Sequence, residues 1–185
     1  MDVQRIKDAL PDYAKDLKLN LGNVLTPDGA PGLSAEQGAA VALATAIAAR
    51  NVDLRNAIEA HAAERLDAAQ LNAARAAAAI MGMNNIYYRF THLVANDEYA
   101  KMQAKLRMTV IGNPGVDKVD FELYSLAVSA VNGCGACVSA HEAIVRKAGL
   151  SAEGVQSAIR IAAVMHGVAV ALEAGAPSQL ARAAA

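Results

Sequence analysis

The chain has 185 residues, is 55% hydrophobic but only 4% aromatic with no tryptophan, and carries 17 Lys and Arg against 18 Asp and Glu. A near-neutral balance excludes a broad basic face for nucleic acid, and one core of ordinary domain size is expected over residues 1–185. Much of the apolar content is alanine, which favours closely packed helices over sheets.

Val3–Leu25 reads as a helix interrupted near Pro11, because proline suits a first turn and not a helix interior. Thr26–Gly32, with two prolines and two glycines, reads as an irregular loop. Ser34-Ala-Glu-Gln37 has capping-box spacing and predicts a helix to about Arg50. A helix over Asp53–Leu66 follows, and Asp67-Ala-Ala-Gln70 caps the next, which runs through Ala76–Met83 toward Tyr88. Asn96–Met108 is expected to be helical, and Asn113-Pro-Gly115 breaks the chain.

Three helices complete the reading: Asp117–Val131, Cys134–Ala148 and Ser151–Glu173, separated by Asn132-Gly133 and Gly149-Leu150. Residues 176–185 read as a frayed tail. The apolar stretches Ala39–Ala49 and Ile161–Leu172 fall short of the roughly 18–20 residues that span a bilayer, so no membrane segment is expected. The N-terminus mixes acids and bases without a signal-peptide core, which predicts a cytoplasmic protein. With no period-two β run, the fold class is all-α. A faint internal repeat is legible: Ala60-His61, Leu66-Asp67 and Ile80-Met81 match Ala140-His141, Leu150-Ser151 and Val164-Met165 at separations of 80 to 84, although alanine-rich sequence produces such matches by chance.

The chemistry concentrates at Cys134-Gly-Ala-Cys137 and His141. Spacings of three, four and seven put these side chains on one helix face. Three residues make too short a loop for a useful structural staple, so a reversible or metal-binding role is the better reading. A position at the helix start favours Cys134 as the activated thiol. A histidine one turn away favours Cys137. These two arguments conflict, and residue physics leaves them open. Zinc would need further ligands than the two cysteines and His141, and no second pair at suitable spacing exists. A thioredoxin fold would put CxxC after a strand, whereas a helix precedes it here. His61, His92 and His166 read as surface or core histidines without a role, and Glu122 alone reads equally as a solvated carboxylate.

Glu122 with Ala127-Val-Ser-Ala-Val-Asn-Gly-Cys-Gly-Ala-Cys-Val-Ser-Ala-His141 resembles the active-site signature of the AhpD family of alkyl hydroperoxide reductases, in the carboxymuconolactone decarboxylase-like superfamily. Leu10–Asn20, Ala79–Arg89, Leu106–Met108 and Asn113–Gly115 also resemble that family, so the likeness spans nearly the whole chain. The resemblance implies an AhpD-like helical homotrimer that reduces a partner peroxiredoxin of the AhpC type, or hydroperoxides directly. It also implies recharging by the dihydrolipoamide of a dihydrolipoyl-bearing acyltransferase, with no cofactor tightly bound. Within it Glu122 and His141 match the proton relay, Cys137 the attacking cysteine and Cys134 its disulfide partner. Ala136 stands where some relatives carry histidine. The rival readings are a lactone decarboxylase, which would not need the cysteines, and a metal-bound interaction module.

Overall fold

A computed structural model of the chain describes residues 2–175, so the tail foreseen at 176–185 lies outside the described residues. Among the described residues there are ten α-helices, one 3-10 turn and no strand. The chain enters through α1 (Val3–Ala9), a 3-10 turn over Asp12–Ala14 and α2 (Lys15–Val24). Pro11 sits at the break as expected: Leu10 before it is extended (φ −71°, ψ 129°) and ends α1.

Next come α3 (Ala35–Ala48), α4 (Val52–Ala63) and α5 (Ala68–Leu93). The capping box foreseen at Ser34 and Gln37 forms, and the cap foreseen at Asp67 is also a capping box, with Gln70. The helix α5 runs to Leu93, well past the expected end near Tyr88, and stops where Ala95 adopts a left-handed φ of 52°. After α6 (Asp97–Lys101) and α7 (Thr109–Gly112), the chain ends with α8 (Lys118–Val131), α9 (Gly135–Lys147) and α10 (Ala152–Gly175).

The helix expected over Asn96–Met108 is corrected. Only Asp97–Lys101 is helical, and the chain then runs irregularly to Met108. Asp97, Glu98, Tyr99 and Lys101 are all exposed, so among the described side chains no buried face lengthens the helix. Beyond it Ala104, Leu106 and Met108 are half-buried while Gln103, Lys105 and Arg107 are exposed, and Lys105 takes a left-handed φ of 52° that no helix would continue through.

The repeat is present, with the Leu66-Asp67 and Ile80-Met81 matches in register and the Ala60-His61 match out of it. Helices α8, α9 and α10 start 83, 83 and 84 residues after α3, α4 and α5. Their lengths are 14, 13 and 24 residues against 14, 12 and 26. The halves exchange partners reciprocally: α5 packs on α8 and α10 packs on α3, while α3 and α8 pack on each other. In this register Glu122, Cys134, Cys137 and His141 correspond to Ala39, Asn51, Leu54 and Ile58, so His61 is not the counterpart of His141. Asn51 and Cys134 do the same local job, each accepting a hydrogen bond from the backbone N–H three residues on, at Leu54 and Cys137.

All three pairs share one core, in which Leu43, Leu54, Ile58, Leu123, Ile161 and Met165 are fully buried. Because so many of its members are alanine, helices approach closely. At one crossing, a side chain on Gly154 of α10 would strike the Gly32 carbonyl, so the first turn of α10 rests directly on the loop before α3. By length and composition α10 is apolar enough to cross a membrane, longer than its central run Ile161–Leu172 suggested, yet half of its most apolar window is buried in this core.

Candidate active site

The site is built where α5, α8 and α9 meet. Glu122 lies on α8 and is 4% exposed, although a carboxylate is rarely buried without a partner. Its partner is His141 on α9: Nδ1 lies 2.6 Å from Glu122 Oε2. With Glu122 ionised, Nδ1–H donates to it, and Nε2 of the neutral ring is left as the acceptor for a proton. An ion pair forms in place when that proton arrives. The carboxylate that the sequence could not separate from a solvated one is therefore buried and hydrogen-bonded to His141.

Cys134 and Cys137 form a disulfide across α9's first turn, with Cα atoms 5.3 Å apart. Cys134 is fully buried and Cys137 is 7% exposed. The expectation that Cys134 lies within the helix needs a small correction: it is the N-cap, and its Sγ accepts from Cys137 N–H at 3.3 Å. When the disulfide opens, a thiolate at this cap would be stabilised by the same orphan N–H. Cys137, in the first turn, shares that field and also stands one turn before His141.

The approach to the cysteines is held by a polar network that sequence reasoning did not identify. Asn85 is fully buried; its Nδ2 donates to Ser129 Oγ at 2.9 Å and its Oδ1 accepts from Asn132 Nδ2 at 2.9 Å. Arg89 donates to the Asn132 carbonyl at 2.7 Å, and Cys134 N–H donates to the Ser129 carbonyl at 3.1 Å. Gly133, at φ +71°, makes the left-handed turn between these anchors. Two asparagines in the middle of an alanine-rich helix were the available signal, since asparagine disfavours a helix interior.

An open cleft of about 280 Å³ reaches the site, lined by Cys137, Ala136, Ala140 and His141 from α9. Met81, Asn84 and Tyr88 of α5 line its other side, with Met108 and Ile111. Cys134 does not line it. The small side chains Ala136 and Ala140 leave the way to Cys137 open. Among the other histidines, His92 and His166 are exposed and His61 is half-buried on α4, away from the cleft. Desolvation, and secondarily the Arg65 charge, hold the His61 imidazole below its ordinary value of 6.5. No group of three or more His, Cys, Asp and Glu side chains among the described residues is arranged to hold a metal ion.

Residues 97–177 match the carboxymuconolactone decarboxylase family model. Over nearly its whole length the chain is similar to proteins named alkyl hydroperoxide reductase AhpD. It is 59% identical to that of Rhodospirillum centenum over 94% of this chain and 92% of the relative. Identity is 55% with that of Rhodopseudomonas palustris, over 96% and 97%. With that of Brucella anthropi it is 52%, over 94% and 98%.

Proposed function

The chain belongs to the alkyl hydroperoxide reductase AhpD family, and from that premise we propose that Cys134 and Cys137 are its working dithiol, with Glu122 and His141 as their proton relay. The activity is that of an alkyl hydroperoxide reductase. The observation that carries the mechanism is the buried Glu122–His141 hydrogen bond beside a cysteine pair of which Cys137 alone lines the cleft.

In the reduced enzyme His141 Nε2 takes the Cys137 proton while Glu122 holds the resulting imidazolium. The thiolate attacks the terminal oxygen of a hydroperoxide, the O–O bond breaks, and the leaving alkoxide takes the proton back from His141. Cys137 is left as sulfenic acid. The Cys134 thiol then attacks its sulfur, expelling water and closing the disulfide. With an AhpC-type peroxiredoxin as partner, the same thiolate attacks the partner's disulfide, and Cys134 resolves the mixed disulfide by releasing the peroxiredoxin thiol. A dithiol restores Cys134 and Cys137, and the dihydrolipoamide arm of an acyltransferase is the donor assigned, with no tightly bound cofactor. A reducing compartment, the cytoplasm, suits such a cycle.

The homotrimer belongs to the same proposal. Ile86, Phe90 and Leu93 lie at helical spacing on α5 and are exposed, with Tyr99 against Phe90. An apolar stripe of this kind supports burial between subunits.

The test is to add an organic hydroperoxide to the reduced protein. Two thiols should disappear, the mass of each chain should fall by two hydrogens, and dihydrolipoamide should restore both. A bridge between Cys134 residues of two subunits as the main product would overturn the proposal.

A further inference from the structure

Two buried side-chain polar atoms among the described residues have no hydrogen-bond partner, Asn84 Oδ1 and Ser125 Oγ. Only Asn84 lines the cleft. The residue is 4% exposed and sits in the interior of α5, where asparagine is a poor helix former. Its neighbour Asn85 has both ends of its amide paired, so the region readily supplies partners where structure needs them. An orphaned buried acceptor weakens a fold and calls for an explanation outside it. Met81, Asn84 and Tyr88, at spacings of three and four, present one face of α5 to the cleft opposite Cys137 and His141. The remaining wall is apolar, from Met108, Ile111, Ala136 and Ala140.

We propose that Asn84 anchors the substrate: its side-chain oxygen accepts the terminal O–H of the hydroperoxide, while Met81, Met108 and Ile111 take the organic group. Asn84 thereby holds the terminal oxygen for attack by Cys137. The electrons move as already given: a sulfur–oxygen bond forms, the O–O bond breaks, and the organic oxygen leaves with the proton from His141. The O–H that Asn84 accepts stays on the transferred oxygen and becomes that of the sulfenic acid, so one contact serves substrate and product. Hydrogen peroxide has the O–H but nothing to fill the apolar wall, which makes the cleft selective for organic hydroperoxides.

This inference rests on the proposed reaction of Cys137 with hydroperoxide, and the experiment separates the two. Asn84→Leu keeps the shape of the side chain and removes the acceptor. Rates of thiol loss from the reduced wild type and variant are measured with cumene hydroperoxide, with hydrogen peroxide and with methyl methanethiosulfonate, a neutral thiol reagent that carries no donor. The expected result is about a tenfold loss with cumene hydroperoxide, an unchanged rate with methyl methanethiosulfonate, and a thermal midpoint equal to or above that of the wild type. Ile111→Gln should lower the preference for cumene hydroperoxide over hydrogen peroxide. An unchanged cumene hydroperoxide rate in Asn84→Leu would overturn the anchor while leaving the reaction intact. An equal loss with cumene hydroperoxide and with methyl methanethiosulfonate would overturn it too, by moving Asn84's effect to the thiol. A wild type whose thiols ignore cumene hydroperoxide would instead remove the reaction itself, and the anchor with it.

Discussion

Glu122→Gln keeps the size of the side chain at the centre of the relay and removes its charge. The wild-type contact is short, 2.6 Å, and both side chains are largely shielded, 5% and 13% exposed. Water therefore offers little screening, and the charge-assisted bond is worth about 1.5–3 kcal/mol, roughly twice a neutral one. That stabilisation is fully expressed only when His141 holds the thiol proton, so its loss falls on the rate. Glutamine still offers Nδ1–H a neutral acceptor, so about half of that is lost, and at about 1.4 kcal/mol per factor of ten thiol oxidation should slow by roughly 3- to 10-fold. His141→Gln removes the acceptor itself and should cost about 10²- to 10⁴-fold. The double variant should be no slower than His141→Gln, because Glu122 acts only through that ring. Stopped-flow measurement of thiol loss at neutral pH reads all three. Losses that multiply in the double variant, or an undiminished rate in Glu122→Gln, would refute the relay.

Asn85→Leu leaves Ser129 and Asn132 without their partner and should lower stability by about 1–3 kcal/mol, read as an earlier denaturant midpoint at unchanged slope. That is the opposite of the result expected at its neighbour Asn84. His61 is held below its ordinary value of 6.5, so below that pH the unfolded chain binds more protons than the folded one. The contribution is fully present above 6.5 and is lost as pH falls toward the depressed folded value. His61→Gln should flatten that part of the stability curve; superimposable curves for the two proteins would contradict the assignment.

The helices that organise the site were legible because their ends carry chemistry. Ser34, Asp67 and Asp117 accept backbone hydrogen bonds where their side chains foretold helix starts. Cys134, Cys137 and His141 share a helix by spacing alone, but Glu122's contact with them depends on how α8 crosses α9, which no local pattern encodes. Glu122 was reached only through the family resemblance. The stretch after Lys101 has a composition that suits a helix, but Lys105 turns left-handed there and Ala104, Leu106 and Met108 face inward, which no local pattern foretold. Met108 helps form the cleft, so this also hid a wall of the site. The repeat was visible partly in register, at 84 through Leu66-Asp67 and Ile80-Met81, and partly out of it, at 80 through Ala60-His61; element starts 83 and 84 residues apart give the true one. In it the first half holds apolar residues or an asparagine cap wherever the second holds chemistry.

Which sulfur meets the substrate decides the mechanism. The helix cap favours Cys134, while the cleft, the one-turn spacing to His141 and the family resemblance favour Cys137. Cys134→Ser and Cys137→Ser, each reduced and mixed with oxidised peroxiredoxin of the AhpC type, should differ on a non-reducing gel. The predicted result is a stable mixed disulfide through Cys137 in Cys134→Ser, which lacks the resolving thiol, and little adduct in Cys137→Ser. A stable adduct formed only through Cys134 would reverse the two roles and contradict the mechanism.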